Sequence, residues 1–111
     1  MTMVREPKNL CQTYIKDGIT AVYTCPDNKI TQVTEIWIAN RSSYAAHEIT
    51  VFINGTEPHN VLMGGLALAP NETTVISDCK IVLSEGKVLA FSQDEGFDDV
   101  IVTAFGIEGA I

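Results

Sequence analysis

The chain has 111 residues, 46% of them hydrophobic and 19% charged, which suits one folded domain with a single core. Seven basic against 14 acidic residues give a formal net charge of −7. This balance argues against direct binding of nucleic acid, because such affinity comes largely from Lys and Arg contacts to phosphates. With neither a secretory signal nor a membrane-length apolar run, we expect synthesis in the host cytoplasm and no membrane partner.

The N-terminal segment, residues 1–17, has mixed charge and weak periodicity. It predicts an arm that is either loose in the free protein or ordered on a neighbouring subunit. The remainder, residues 18–111, is predicted to form a single domain.

From residue 18 onward, turn-forming residues recur about every ten positions, a spacing typical of short antiparallel strands. Between the turns, apolar and polar residues alternate, as at Ile49, Val51 and Ile53. In the strand over residues 30–39 the alternation changes phase near Val33, which predicts a bulge. The pattern therefore predicts an all-β fold, an antiparallel β-sandwich or jelly roll of about eight short strands. Helix is expected to be limited to one turn around residues 59–63.

The last predicted strand, residues 99–108, is apolar on both faces at Val100, Ile101 and Val102. One face is expected to meet the core, and the other is expected to meet either a neighbouring subunit or a loop of the same chain. Aromatic side chains favour such contacts. The candidate interface residues are therefore Trp37, Tyr44, Val100, Val102 and Phe105.

An alternative role for the aromatic residues is a platform for sugar rings. Trp37 and Tyr44, with Tyr14 and Tyr23, could supply it. Because Trp37 lies inside a predicted strand, packing in the core or at a subunit interface is favoured.

No residue pattern predicts catalysis or a cofactor. His47 and His59 stand 12 positions apart, and no serine lies in a nucleophile-elbow motif. The chain is therefore predicted not to be an enzyme and to carry neither cofactor nor metal.

Two features have open alternatives. The acidic cluster at residues 94–99 is favoured as a solvated loop, with a Ca²⁺ or Mg²⁺ site as the alternative. Three cysteines are an odd number and lack zinc-site spacing, which favours free thiols, with a Cys11–Cys25 disulfide as the alternative.

The order of these motifs resembles small virion structural proteins of tailed bacteriophages. The matching segments, in chain order, are Tyr-Thr-Cys-Pro-Asp-Asn-Lys at 23–29, Glu-Ile-Trp-Ile-Ala-Asn at 35–40, Leu-Ala-Pro-Asn-Glu-Thr at 68–73, Ile-Val-Leu-Ser-Glu-Gly at 81–86 and the strand at 101–108. Together they span nearly the whole chain after Gly18. Cys25 and Phe105 depart from the family pattern, and Phe105 is expected to alter an interface.

The resemblance implies a β-sandwich or jelly-roll subunit without catalytic residues. It would belong to the virion as a capsid decoration (cement) protein on the capsid surface, or as a neck or tail component. The expected partners are further copies of the chain, with a trimer favoured, and the major capsid protein or other virion proteins.

Overall fold

The computed structural model describes residues 5–16, 18–94 and 99–110, and within them nine β-strands form two packed antiparallel sheets. The strands are β1 (Arg5–Tyr14), β2 (Thr20–Thr24), β3 (Lys29–Asn40), β4 (His47–Ile53), β5 (Val61–Leu68), β6 (Thr73–Ile76), β7 (Ile81–Leu83), β8 (Val88–Gln93) and β9 (Val100–Ala110).

The strand order is that of a jelly roll. Sheet A runs β1-β9-β3-β6, with β7 also paired to β3, and sheet B runs β2-β8-β4-β5. Because β6 and β7 pair antiparallel with successive parts of β3, they act as one interrupted strand. The chain passes from sheet to sheet at nearly every connection, which is the Greek-key winding of double-sheet jelly rolls. The predicted all-β sandwich is confirmed.

The described part of the segment predicted as an N-terminal arm is a strand. Arg5–Tyr14 is β1, an edge strand of sheet A that pairs along its length with β9 of the same chain. The prediction of an arm rested on weak polar–apolar alternation. An edge strand can lack that pattern because ladder hydrogen bonds fix its backbone whatever its side chains.

The predicted bulge in β3 is confirmed, one residue beyond Val33. The register against β9 shifts between Val33 and Glu35, which leaves Thr34 without a Cα partner. The gap between β6 and β7 lies beside this bulge, and the Cys79 N–H donates to the Thr34 carbonyl there. Opposite Val33 lies Gly106, whose close approach to the Gln32 carbonyl leaves no room for a Cβ.

The core fills the space between the sheets with inward-facing aliphatic side chains and one phenylalanine. Fully buried members come from both sheets: Val33, Ile36, Ile38, Val100 and Val102 from sheet A, and Ile49, Val51, Leu68, Leu89 and Phe91 from sheet B. Burying each such side chain stabilises the fold by roughly 1.5–3 kcal/mol.

Helix is limited, in the described part of the chain, to one 3-10 turn at Pro58–Asn60. It begins one residue before the predicted turn, and residues 61–63 already belong to β5. No helix in the described ranges has the length and apolarity needed to cross a membrane.

Candidate interaction surface

The outward side of sheet A forms the candidate site, which we call the outer A face. Alternation along β3 and β9 buries the core residues and turns Trp37 and Phe105 outward. Trp37 stands opposite Thr103 of β9 and Val75 of β6, and Phe105 stands opposite Glu35. The one-residue bulge at Thr34 sets the alternation that brings Trp37 to this side.

Large apolar side chains are concentrated on this face. The exposed fractions are 44% for Trp37, 37% for Phe105, 42% for Val75, 57% for Val82 and 41% for Ile30. These are five of the nine exposed large hydrophobic residues in the described ranges. The other four lie in separate loops or on β5, so the outer A face is the main apolar surface there.

Charge is sparse on the same face. On β3 and β9 themselves the outward residues are apolar or neutral except Glu35, and the charged residues Asp78 and Lys80 lie beside Glu35 at the β6–β7 gap. The Trp37 Nε1–H donates to Glu35 Oε1, which partly satisfies that carboxylate. On a chain of net charge −7, a face this poor in charge has the composition of a protein interface centre.

Two adjoining depressions lie on the outer A face. One of about 350 Å³ is lined by Gln12, Glu35, Trp37, Thr103 and Phe105. A second, of about 420 Å³, lies on the other side of Phe105 near Asn9 and Ile107. The face can therefore receive protruding side chains from a partner.

The structure separates the five predicted interface residues. Trp37 and Phe105 lie on the outer A face, on neighbouring strands. Val100 and Val102 have no exposed surface and belong to the core, because the even-numbered residues at the start of β9 point inward. The outward residue between them is Ile101, and the two valines are therefore not part of the candidate surface.

The remaining aromatic residues do not form one platform with Trp37 and Phe105, although Tyr14 pairs with outward Ile101 at the end of the outer A face. Tyr44 is 85% exposed in the β3–β4 loop. Tyr14 receives a hydrogen bond from Arg41, and the Lys16 ammonium lies 5.6 Å from its ring centroid. Tyr23 points into a buried polar network.

That network lies at one end of the sandwich and centres on Glu108, which is 7% exposed. Its carboxylate accepts hydrogen bonds from Lys8 Nζ at 3.0 Å and from Tyr23 Oη at 2.8 Å, and Lys29 Nζ lies 3.5 Å away. The bond from Tyr23 and then Lys8 lower the pKa of Glu108. Burial, with the Glu108 charge adding to it, raises the pKa of Tyr23 to about 12. These groups tie β1, β2, β3 and β9 together.

A second polar cluster, made of buried His47 and two partly exposed aspartates, joins β4 to the β8–β9 connection. The His47 side chain is fully buried, with Nε2 3.0 Å from Asp99 Oδ1 and Nδ1 3.5 Å from Asp94 Oδ1. The two carboxylates flank opposite ring nitrogens, so this trio cannot ligate one metal ion.

The metal and disulfide alternatives stand as follows. Residues 95–98 of the acidic cluster lie outside the described residues, so the Ca²⁺ or Mg²⁺ alternative stays a prediction. Within the described ranges, no group of three or more His, Cys, Asp or Glu residues could hold a metal. The three cysteines are free thiols; Cys25 is buried, and Cys11 and Cys79 are partly buried.

Sequence reasoning missed Val75, Val82 and Ile30 on the outer A face. Ile30 and Trp37 lie in the same predicted strand, seven residues apart, so simple alternation places them on opposite sides of the sheet. The bulge between Val33 and Glu35 shifts the alternation and brings both to the same side. Val75 and Val82 join the face only through the pairing of β6 and β7 with β3, which no local pattern reveals.

Comparison with known proteins adds a fold likeness. No protein-family model matches the chain, and no curated protein sequence matches it. A chain from the acidic stable capsid structure of Helicobacter pylori bacteriophage KHP30 is similar, with a TM-score of 0.56 and 12% identity over 96% of this chain and 93% of that one. The Tobacco streak virus coat protein is also similar, with a TM-score of 0.53 and 12% identity over 98% and 86%. What is shared is the fold.

Proposed function

We propose that this chain is a non-enzymatic structural protein of a virion, a decoration (cement) subunit on the capsid surface. The observation that carries the proposal is the outer A face, a charge-poor surface bearing Trp37 and Phe105 on an otherwise acidic jelly roll. Exposed apolar surface of this kind has a physical cost in solution and is explained by assembly.

The viral setting is supported by the structural likeness. One similar chain comes from a phage capsid structure and the other is a plant virus coat protein. Jelly rolls also serve other functions, so the fold supports the proposal without carrying it. The assignment to an assembly role rests on the outer A face.

An external position on the shell follows from charge. Packaged nucleic acid would repel a chain with 14 acidic and 7 basic residues. A subunit on the outside avoids that repulsion and contacts its own copies and the major capsid protein. By binding only the assembled shell, it would stabilise that state by its binding free energy.

The test compares particles made with and without this chain. Particles lacking it are expected to lose infectivity at a lower temperature, and adding back the purified wild-type protein is expected to restore heat resistance. Adding back Leu62→Lys should restore heat resistance as well as wild type does. Leu62 on β5 is 44% exposed, like Trp37, but lies outside the outer A face. Equal heat resistance with and without the chain would contradict a cement role.

A neck or tail component is the alternative within the same virion. It differs in copy number, which is about a dozen or fewer for a closed ring and hundreds for a surface decoration.

A carbohydrate-binding module is a second candidate, favoured by one observation. The depression beside Trp37 carries the polar side chains of Gln12, Glu35 and Thr103, as sites that stack and hydrogen-bond sugars do. Binding on a glycan array that Gln12→Ala abolishes without unfolding would favour this role. An apolar assembly surface is expected to tolerate Gln12→Ala.

A further inference from the structure

We infer that the outer A face is occupied by the same face of a second copy, so that the chain is a two-fold dimer before it reaches a particle. The inference rests on the proposed function, since it names the neighbour at the proposed assembly surface.

The charge distribution selects the partner. A basic partner would bind to carboxylates, but the middle of the outer A face, on β3 and β9, offers only Glu35, which accepts a hydrogen bond from Trp37. The charged residues Asp78 and Lys80 lie at its edge, at the β6–β7 gap. The best match is another charge-poor apolar surface, and in the described ranges that surface is the outer A face itself. Two copies of net charge −7 repel each other least when they meet there.

The area is sufficient for a stable pair. Four strands spaced about 4.8 Å apart over a shared length of about 30 Å give a face of roughly 600 Å². That is about a tenth of the total accessible surface of 6232 Å². Two such faces bury about 1,200 Å², the lower end of the range for specific interfaces.

The symmetry follows from the surface being a sheet face. When the same patch meets itself, the contact is isologous and closes at two copies. Two sheets can pack face to face at about 10 Å with their strands about 30° apart. The depression between Trp37 and Phe105 then receives an aromatic side chain of the other copy. This pairing replaces the three-fold symmetry that the sequence resemblance favoured.

The experiment uses light scattering and tryptophan fluorescence on the purified full chain over a range of concentrations. We expect a mass about twice the monomer's 12.1 kDa, falling on dilution. Trp37 is the only tryptophan, so its emission reports on this face alone. The emission should shift to longer wavelength as the dimer dissociates and Trp37 becomes hydrated.

Two variants test the contact. Phe105→Lys and Val75→Lys each place a charge on the outer A face at a position already 37% and 42% exposed. Each should raise the dimer dissociation constant at least about tenfold, while Leu62→Lys leaves it unchanged.

Four results would overturn the inference. They are a monomer at every concentration, a trimer, a dimer that dissociates on dilution without a shift in Trp37 emission, and folded lysine variants that dimerise as tightly as wild type. Should the variants not fold, the dilution series on the wild type still decides. A monomer found at high copy in particles would refute the pairing alone. A dimer absent from particles would refute the proposed function alone.

Discussion

Replacing Glu108 by glutamine tests whether the buried network at the end of the sandwich holds four strands together. Glutamine keeps the shape of the side chain and removes its charge. One carboxylate oxygen now accepts from Lys8 and the other from Tyr23. In Glu108→Gln, one of these acceptors becomes an NH₂ group, so one charge-assisted bond is lost and the other weakens.

The size of the effect follows from burial. Hydrogen bonds to a charged group contribute about 1.5–3 kcal/mol each. The side chains of Lys8 and Lys29 are 43% and 41% exposed, so they stay partly hydrated after the substitution. Their ion pairs with Glu108 therefore contribute little to the loss of stability. We therefore expect Glu108→Gln to lower the free energy of unfolding by about 1–2 kcal/mol at pH 7. This corresponds to a fall of roughly 1 M in the urea midpoint.

The pH dependence has a definite sign. The folded-state pKa of Glu108 is lowered, by Tyr23 first and then Lys8. Its contribution is therefore fully present above the unfolded value of about 4.3 and is lost as the pH falls through the folded pKa. The stability gap between wild type and Glu108→Gln should thus be widest at neutral pH and shrink near pH 3.

Urea unfolding followed by circular dichroism at pH 7 and pH 3 measures both quantities. Glu48→Gln is the matched control, since it removes the same charge from an exposed position on β4 and should cost less than about 0.5 kcal/mol. A gap that stays constant between the two pH values, or a variant as stable as wild type at pH 7, would refute this reasoning.

Further predictions concern the bulge, a buried amide and the thiols. Gly106→Ala should lower the free energy of unfolding by about 1–3 kcal/mol in urea melts, because its Cβ would collide with the Gln32 carbonyl. Gly64→Ala, whose Cβ would have no neighbour closer than 3.9 Å, is its control, and an equal loss in both would contradict the close approach. Asn40→Asp should destabilise at pH 7 at least as much as Asn40→Ala, by about 2 kcal/mol or more, since its second oxygen would face the carbonyls of Ala45, Leu68 and Ala69; a milder loss for Asp would disprove the assigned amide orientation. Under native conditions a thiol reagent should modify Cys25 more slowly than Cys79, and equal rates would show that Cys25 is accessible.

The fold was largely predictable from local chemistry. Alternation along the strands and turns every ten residues are local properties, and they predicted the sandwich and the bulge near Val33. The role of β1 was not predictable in the same way, because its place is fixed by ladder bonds to β9, far along the chain.

The candidate surface was predictable only in part. Trp37 and Phe105 stood out as aromatic residues in strands, and both are on the outer A face. Val100 and Val102 were assigned from apolarity alone, but strand parity places them on the opposite side of β9 from Phe105. Val75 and Val82 needed the sheet order, which depends on pairing between distant segments.

The central claim is that this chain is an abundant structural component of a virion. Quantitative mass spectrometry of purified particles, with the major capsid protein as internal reference, tests it most directly. We expect hundreds of copies per particle. About a dozen copies would point to a neck or tail ring, and absence from the particles would contradict the claim.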